Sequence, residues 1–130
     1  IDRAFTPATA AKLNAEELVA VAGVLGIAPR AAALAERYRL DWVAVTHGAG
    51  GTKVYRGGEE ATAAVPRFDS DPSADSVGAG DACGAGLLFG MLQGWPLERT
   101  VALANTLGAY VASQPGATPA LPESLVRACR

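Results

Sequence analysis

Sulfur and imidazole are scarce in this sequence: 130 residues hold two cysteines, one methionine and one histidine. Cys83 and Cys129 make no disulfide framework and fit no metal-ligand spacing. His47 has no second histidine to work with, and one imidazole makes no metal site. A reducing, cytoplasmic setting is therefore expected. Neither sign of charge is in excess, since 11 basic and 13 acidic side chains leave a net −2. That excludes the electrostatic footprint of a nucleic-acid or anionic-membrane binder. No apolar run approaches the roughly 20 residues that cross a bilayer, and no secretory signal pattern opens the chain. What is present is a chain that is 50% hydrophobic, hence globular, with room for one domain and its core.

The most informative stretch is Asp75-Ser76-Val77-Gly78-Ala79-Gly80-Asp81-Ala82-Cys83-Gly84-Ala85-Gly86, which runs into Leu87, Leu88, Phe89, Met91 and Leu92. A polar, glycine-rich loop here feeds a helix whose first amides have no intrahelical partners. Those amides and the positive end of the helix dipole suit a phosphate, and glycine at 78 and 80 lets an anion approach the backbone. Asp81 would repel a resting phosphate, so its chemical use is as a general base toward a hydroxyl attacking the phosphoryl group. The stretch lacks the Gly-Lys-Ser/Thr of a P-loop, and Cys83 interrupts the dinucleotide pattern G-x-G-x-x-G. The same residues also read as a plain helix start, with close-packing glycines and a first-turn acid. Cys83 reads as a small buried hydrophobe.

Asp75 to Asp81 closely resembles the D-T-x-G-A-G-D signature of the ribokinase-like (PfkB) carbohydrate kinases, with Ser76 in place of the usual Thr. The resemblance implies an α/β fold, a ribokinase-like three-layer α/β/α sandwich, and transfer of the ATP γ-phosphate to a hydroxyl. It further implies Asp81 as the base and the amides of Gly78, Ala79 and Gly80 as the anion hole. Family members are more than twice as long, so residues 1–130 are expected to be the nucleotide-binding, catalytic C-terminal portion only. The sugar-contacting half and a lid, through which a homodimer forms, would lie outside it.

Earlier in the chain, Thr9 to Leu13 reads as a short strand and Asn14 as an N-cap, with Glu17 completing a capping box. Leu18, Val21, Ala22 and Leu25 follow at helical spacing, Gly26 and Pro29 close that helix, and Ala31 to Tyr38 make a second. Lys12, Asn14 and Glu17 also match the family's K-x-N-x-x-E. That match implies Asn14 near the nucleotide phosphates and Glu17 near a Mg²⁺-water cluster. Asp41 to Thr46 is a buried strand, His47 to Gly51 a turn, Thr52 to Arg56 a strand, and Ala61 to Val65 a third. Thr46 to Gly51 fits the family's T-x-G-x-x-G, which implies nucleotide contacts at Thr46, Gly48 and Gly51. His47 stands where the family is usually apolar and is read as incidental.

Pro66 to Ser76 is a polar connection whose acids, Asp69 and Asp71, read as a solvated loop. A helix from Gly78 to about Gln93 ends at Gly94, and Pro96 starts another, Leu97 to about Ser113. Val101, Ala104, Leu107 and Val111 share its inner face. Asn105 reads as a buried, locally bonded residue, while the resemblance implies a place beside adenine. Ser113 to Pro119 is a loop, and Glu123 to Cys129 a closing helix. By resemblance, Asp75, Val77, Val111, Gln114, Gly116 and Ala120 would hold K⁺, although Ala120 lacks a hydroxyl that some relatives supply. The run Ala109 to Pro119 is similar to bacterial fructokinase-type members. The expected function is thus an ATP- and Mg²⁺-dependent carbohydrate kinase acting on a small sugar, with no nucleic-acid or membrane partner. A kinase of ribose, a nucleoside or a 2-keto-3-deoxy sugar acid, and a non-catalytic nucleotide-binding module, remain alternatives.

Overall fold

The structure is a computed structural model that describes all residues, 1–130. The chain divides into two compact units, Ile1–Thr62 and Ala63–Arg130. The sequence shows no Gly- or Ser-rich linker at that boundary, which falls instead between Thr62 and Ala63 at the end of a strand.

The first unit holds every strand. Its order is α1 (Asp2–Phe5), β1 (Ala10–Asn14), α2 (Ala15–Leu25), α3 (Ala31–Tyr38), β2 (Trp42–Thr46), β3 (Thr52–Arg56) and β4 (Glu59–Thr62). The sheet is mixed, in the order β1-β2-β3-β4, with β1 parallel to β2 and the later pairs antiparallel. A parallel pair needs a long crossover, and α2 and α3 supply it. β2 is a Val-rich strand bonded on both sides, and Val43, Ala44 and Val45 are all buried. Leu13, Val43 and Val45 meet Leu18, Leu34 and Ala35 from the two helices in one apolar cluster. Phe5 stacks on Tyr38 at 5.2 Å, and the Tyr38 hydroxyl donates to Asp2, which ties the N-terminal turn to α3. The side-chain bond to Asp2 holds the Tyr38 hydroxyl above the usual tyrosine range.

The strand expected at Ala61 to Val65 is instead Glu59–Thr62. The reason is the turn before it. Gly57 and Gly58 take φ values of 57° and 92°, the paired positive angles of a two-residue hairpin turn. Such a turn pairs its flanking residues at once, so Arg56 faces Glu59 and the ladder ends at Lys53 with Thr62.

The second unit is helical: α4 (Ala79–Leu92), α5 (Leu97–Ala112) and α6 (Glu123–Ala128). The turn between α4 and α5 uses Gly94 at φ 66°, and the Trp95 amide donates back to the Gly90 carbonyl at 3.0 Å. Trp95 is then fixed between the edge of Phe89 and the Arg99 guanidinium, which lies 3.4 Å from its ring centroid. Small residues let the two helices approach. A Cβ on Gly86 would lie 2.8 Å from Ala104 Cα, and one on Gly90 2.5 Å from Thr100 Oγ1. Leu103 and Leu107 of α5 pack with Leu125 of α6.

Because Gly86 meets backbone rather than a movable side-chain tip, Gly86→Val must force α4 and α5 apart. Overpacking of this kind costs about 1–3 kcal/mol or more. The midpoint of urea unfolding should fall accordingly with the slope little changed. An unchanged midpoint would show that the helices do not touch at that point.

Candidate active site

In the first unit, parallel pairing sets Asn14 directly opposite Thr46, the last residues of β1 and β2. Ligands of open α/β sheets bind outside the carboxyl ends of parallel strands. Here that end opens into a cleft of about 410 Å³ lined by Asn14, Ala15, Glu16, Thr46, His47 and Gly48. The capping box is present in full. Asn14 Oδ1 accepts the Glu17 amide at 2.8 Å, and Glu17 Oε2 accepts the Asn14 amide at 2.7 Å. Asn14 keeps its Nδ2 group and Glu17 its Oε1 atom beyond these bonds.

After Thr46 the chain makes one 3₁₀ turn, Gly48–Gly50. Gly48 sits at φ 56° with nothing near its absent side chain, so the backbone lies bare to the cleft. Gly51 is buried and outside the cleft lining. Its carbonyl accepts the His47 amide at 2.8 Å, which closes the turn. Glu16, to which the sequence reading gave no role, and His47, which it read as incidental, also line this cleft. For Glu16 the signal was its place next to the capping-box acid, on the first turn of α2.

In the second unit, Gly78 caps α4 at φ 81° and Asp81 is exposed in the first turn. The Ala79 amide donates to Ser76 at 3.2 Å, and Ala82 to Gly78 at 2.9 Å. The amides of Gly78, Gly80 and Asp81 make no backbone hydrogen bond, which leaves them free to donate to an anion beside the Asp81 carboxylate. Of the three amides expected to form an anion hole, that of Ala79 is engaged by Ser76 in this structure.

The loop after α5 holds this arrangement. A Cβ on Gly78 would lie 2.6 Å from the Ala117 carbonyl oxygen. The Asp75 amide donates to the Gln114 carbonyl at 3.4 Å, and Asp75 Oδ1 accepts the Val77 amide at 2.9 Å. The Val111 carbonyl accepts from Gln114 at 3.1 Å and the Ala120 carbonyl from Tyr110 at 2.9 Å. Asp71 is part of the same bracing, its amide donating to Ser113 at 2.9 Å. Ser73 donates to the Asp71 carboxylate from hydroxyl and amide, which holds that carboxyl below the usual carboxylate range.

Asn105 is among the buried residues of α5. It is 4% exposed, and its Nδ2 donates to the Ala63 carbonyl at 2.8 Å. This bond ties α5 to the start of the unit, as suits a buried, hydrogen-bonded Asn. Cys83 is buried on α4, as a small hydrophobe would be.

Residues 1–124 match the model of the pfkB family of carbohydrate kinases. The chain belongs to that family. A fructokinase from Salmonella typhimurium is 36% identical over 130 residues, covering 94% of this chain and 41% of its own length. A Burkholderia thailandensis nucleoside kinase, solved in complex with ADP-inosine, superposes with a TM-score of 0.77 at 25% identity. That likeness covers 98% of this chain and 38% of the nucleoside kinase. A Xylella fastidiosa fructokinase with bound ATP shares the fold at TM-score 0.77 and 23% identity, over 95% of this chain and 43% of its own. This pfkB chain thus spans less than half the length of each. The ribokinase-like α/β fold expected from the sequence is the one found.

In a pfkB chain whose signature loop is packed this closely, Gly78→Ala should act on backbone and neighbour together. Positive φ in a non-glycine residue costs about 1–3 kcal/mol, and the added methyl also meets Ala117. Expected is a loss of stability of that order, with faster proteolytic cleavage in the 113–120 loop. Unchanged cleavage there would mean that the two loops do not support each other.

Proposed function

We propose that this chain supplies the nucleotide cleft, the anion-binding amides and the base of an ATP-dependent sugar kinase. The observation that carries the reading is Asp81, an exposed carboxylate on the first turn of α4 among backbone amides with no partner of their own. A helix N-terminus with free donors stabilises negative charge as it develops on a transferring phosphoryl group. Asp81 takes the proton of the acceptor hydroxyl. The new bond forms between that oxygen and the γ-phosphorus, the bond from phosphorus to the bridging oxygen breaks, and ADP leaves with that oxygen.

Nucleotide binding belongs to the first unit. Gly48 presents bare backbone to the cleft, and Asn14 Nδ2 is a donor left over from the capping box. No cluster of three acid, histidine or cysteine side chains could cage a metal. The donor set therefore fits Mg²⁺ only as a phosphate-borne ion, its water shell reached by Glu17. When bound, Mg²⁺ neutralises charge on the phosphates. For K⁺ the donors fit in kind: the Asp75 carboxylate and the carbonyls of Val77, Val111, Gln114, Gly116 and Ala120 are hard oxygens. Those of Val111, Gln114 and Ala120 each give one lone pair to a bond already described.

A sugar of the fructose type is the preferred acceptor, supported by the likeness to the Salmonella fructokinase and by the run Ala109 to Pro119. A nucleoside is the second reading, favoured by the superposition on the nucleoside kinase. Rates of ADP formation by the full-length kinase with fructose, ribose and inosine decide between them.

Two substitutions test the assignment. Asp81→Asn keeps size and loses the proton acceptor, so kcat should fall by about 10²–10⁴-fold with nucleotide affinity nearly intact. A rate like that of the wild type would remove Asp81 as base. Gly48→Val places a branched side chain in the cleft at a left-handed backbone position and should weaken ATP binding at least about tenfold. Equal ATP affinity in a folded Gly48→Val protein would move the nucleotide elsewhere.

A further inference from the structure

One residue of the first unit's cleft has no task in the reaction above. His47 is the only histidine in the chain, it is exposed, and it stands in the lining between Thr46 and Gly48. Its backbone is held on both sides. The amide donates to Gly51 at 2.8 Å, and the carbonyl accepts from Gly50 at 3.0 Å. A Cβ on Gly50 would come 3.3 Å from His47 Cβ, so a glycine there leaves the root of the imidazole uncrowded. The ring is thus carried on a fixed turn at the carboxyl end of β2.

The charges around it are few. Glu16, on the first turn of α2, lines the same cleft. Glu17 is turned into the capping box, and Lys53 on β3 pairs with Glu60 at 3.9 Å. Asn14, Ala15, Thr46 and Gly48 bring no side-chain charge. The lining therefore holds one carboxylate and one imidazole, the side chain whose charge changes between about pH 5 and pH 8. With the imidazole neutral, Glu16 stands uncompensated before any phosphate. With it protonated, the two cancel.

We propose that His47 sets the affinity of this cleft for anionic phosphate, as an imidazolium that offsets Glu16 and attracts the nucleotide's phosphates. The inference rests on the nucleotide reading of the cleft. It makes binding pH-dependent through a residue of the glycine turn.

The test is calorimetric titration of the full chain with ADP, without Mg²⁺, at about pH 8 and about pH 5.5. The terminal phosphate of ADP also titrates, near about pH 6, so the quantity read is the ratio of affinities, wild type to His47→Gln, at each pH. That ratio should be close to one at the higher pH and rise by about two- to fivefold at the lower, the scale of an exposed charge contact. His47→Lys should hold the tighter binding at both values, and Glu16→Gln should tighten binding at both. A ratio that does not change with pH overturns the proposal. If Gly48→Val weakens ADP binding while His47→Gln does not at either pH, His47 is a bystander and the nucleotide reading stands. If the wild type binds no ADP at either pH, both fall together.

Discussion

The parallel pairing of β1 with β2 is the constraint from which the chemistry of the first unit follows. Its register runs from Ala10 opposite Trp42 to Asn14 opposite Thr46. Both strands therefore stop at the same level, and each hands over there to a polar, backbone-rich segment: the capping box of α2 and the glycine turn after Thr46. The pairing also aligns Leu13 with Val45 and Ala11 with Val43 on the face that α2 and α3 cover. A slip of one residue would turn Leu13 away from that face and separate Asn14 from Thr46. Core and cleft are thus specified by the same hydrogen-bond ladder. A change that loosens the one loosens the other.

In the second unit the corresponding constraint is closeness without side chains. Gly86 and Gly90 set how near α5 lies to α4, and Gly108 continues the contact to the first turn, where a Cβ would sit 3.2 Å from the Ala79 carbonyl. Helix packing then reaches the functional end of α4 directly. The first turn is seated against α5 from one side and against Ala117 through Gly78 from another. A helix end normally frays, or folds its spare amides onto a side-chain cap. This one has no side-chain cap, and it is packing that keeps its amides in place. Glycine serves twice here, once for approach between helices and once for the positive φ of the cap at Gly78.

Much of this was legible because local chemistry dominated. The capping box at Asn14 and Glu17, the helix Ala31–Tyr38 and the strand Thr52–Arg56 stand where periodicity and turn residues put them. The failures have physical causes. The strand at Glu59–Thr62 was misplaced because two charged residues hid a ladder that the turn at Gly57-Gly58 had already fixed. The hydrogen-bond partner of Asn105 was not legible in the sequence, since the carbonyl it meets is 42 positions away. The break after Thr62 left no mark in composition, because Ala63 and Ala64 suit a strand, a helix or a connection equally.

His47 was read as incidental and Glu16 was given no role for a different reason. A motif weighs the positions it names, and both residues occupy positions that it leaves open. T-x-G-x-x-G does not name its second place, although the family is usually apolar there, and K-x-N-x-x-E does not name the place before the acid. Yet those unnamed positions reach the cleft wall, while two of the named ones build its frame: Gly51 closes the turn, and Glu17 bonds the Asn14 amide. The division is sensible physically. Residues that build a turn or cap a helix are confined to a few types by backbone geometry, and so form a motif. In this chain Gly51 and Glu17 build the turn and the cap, while Glu16 and His47 bring a carboxylate and an imidazole to the residues that line the cleft.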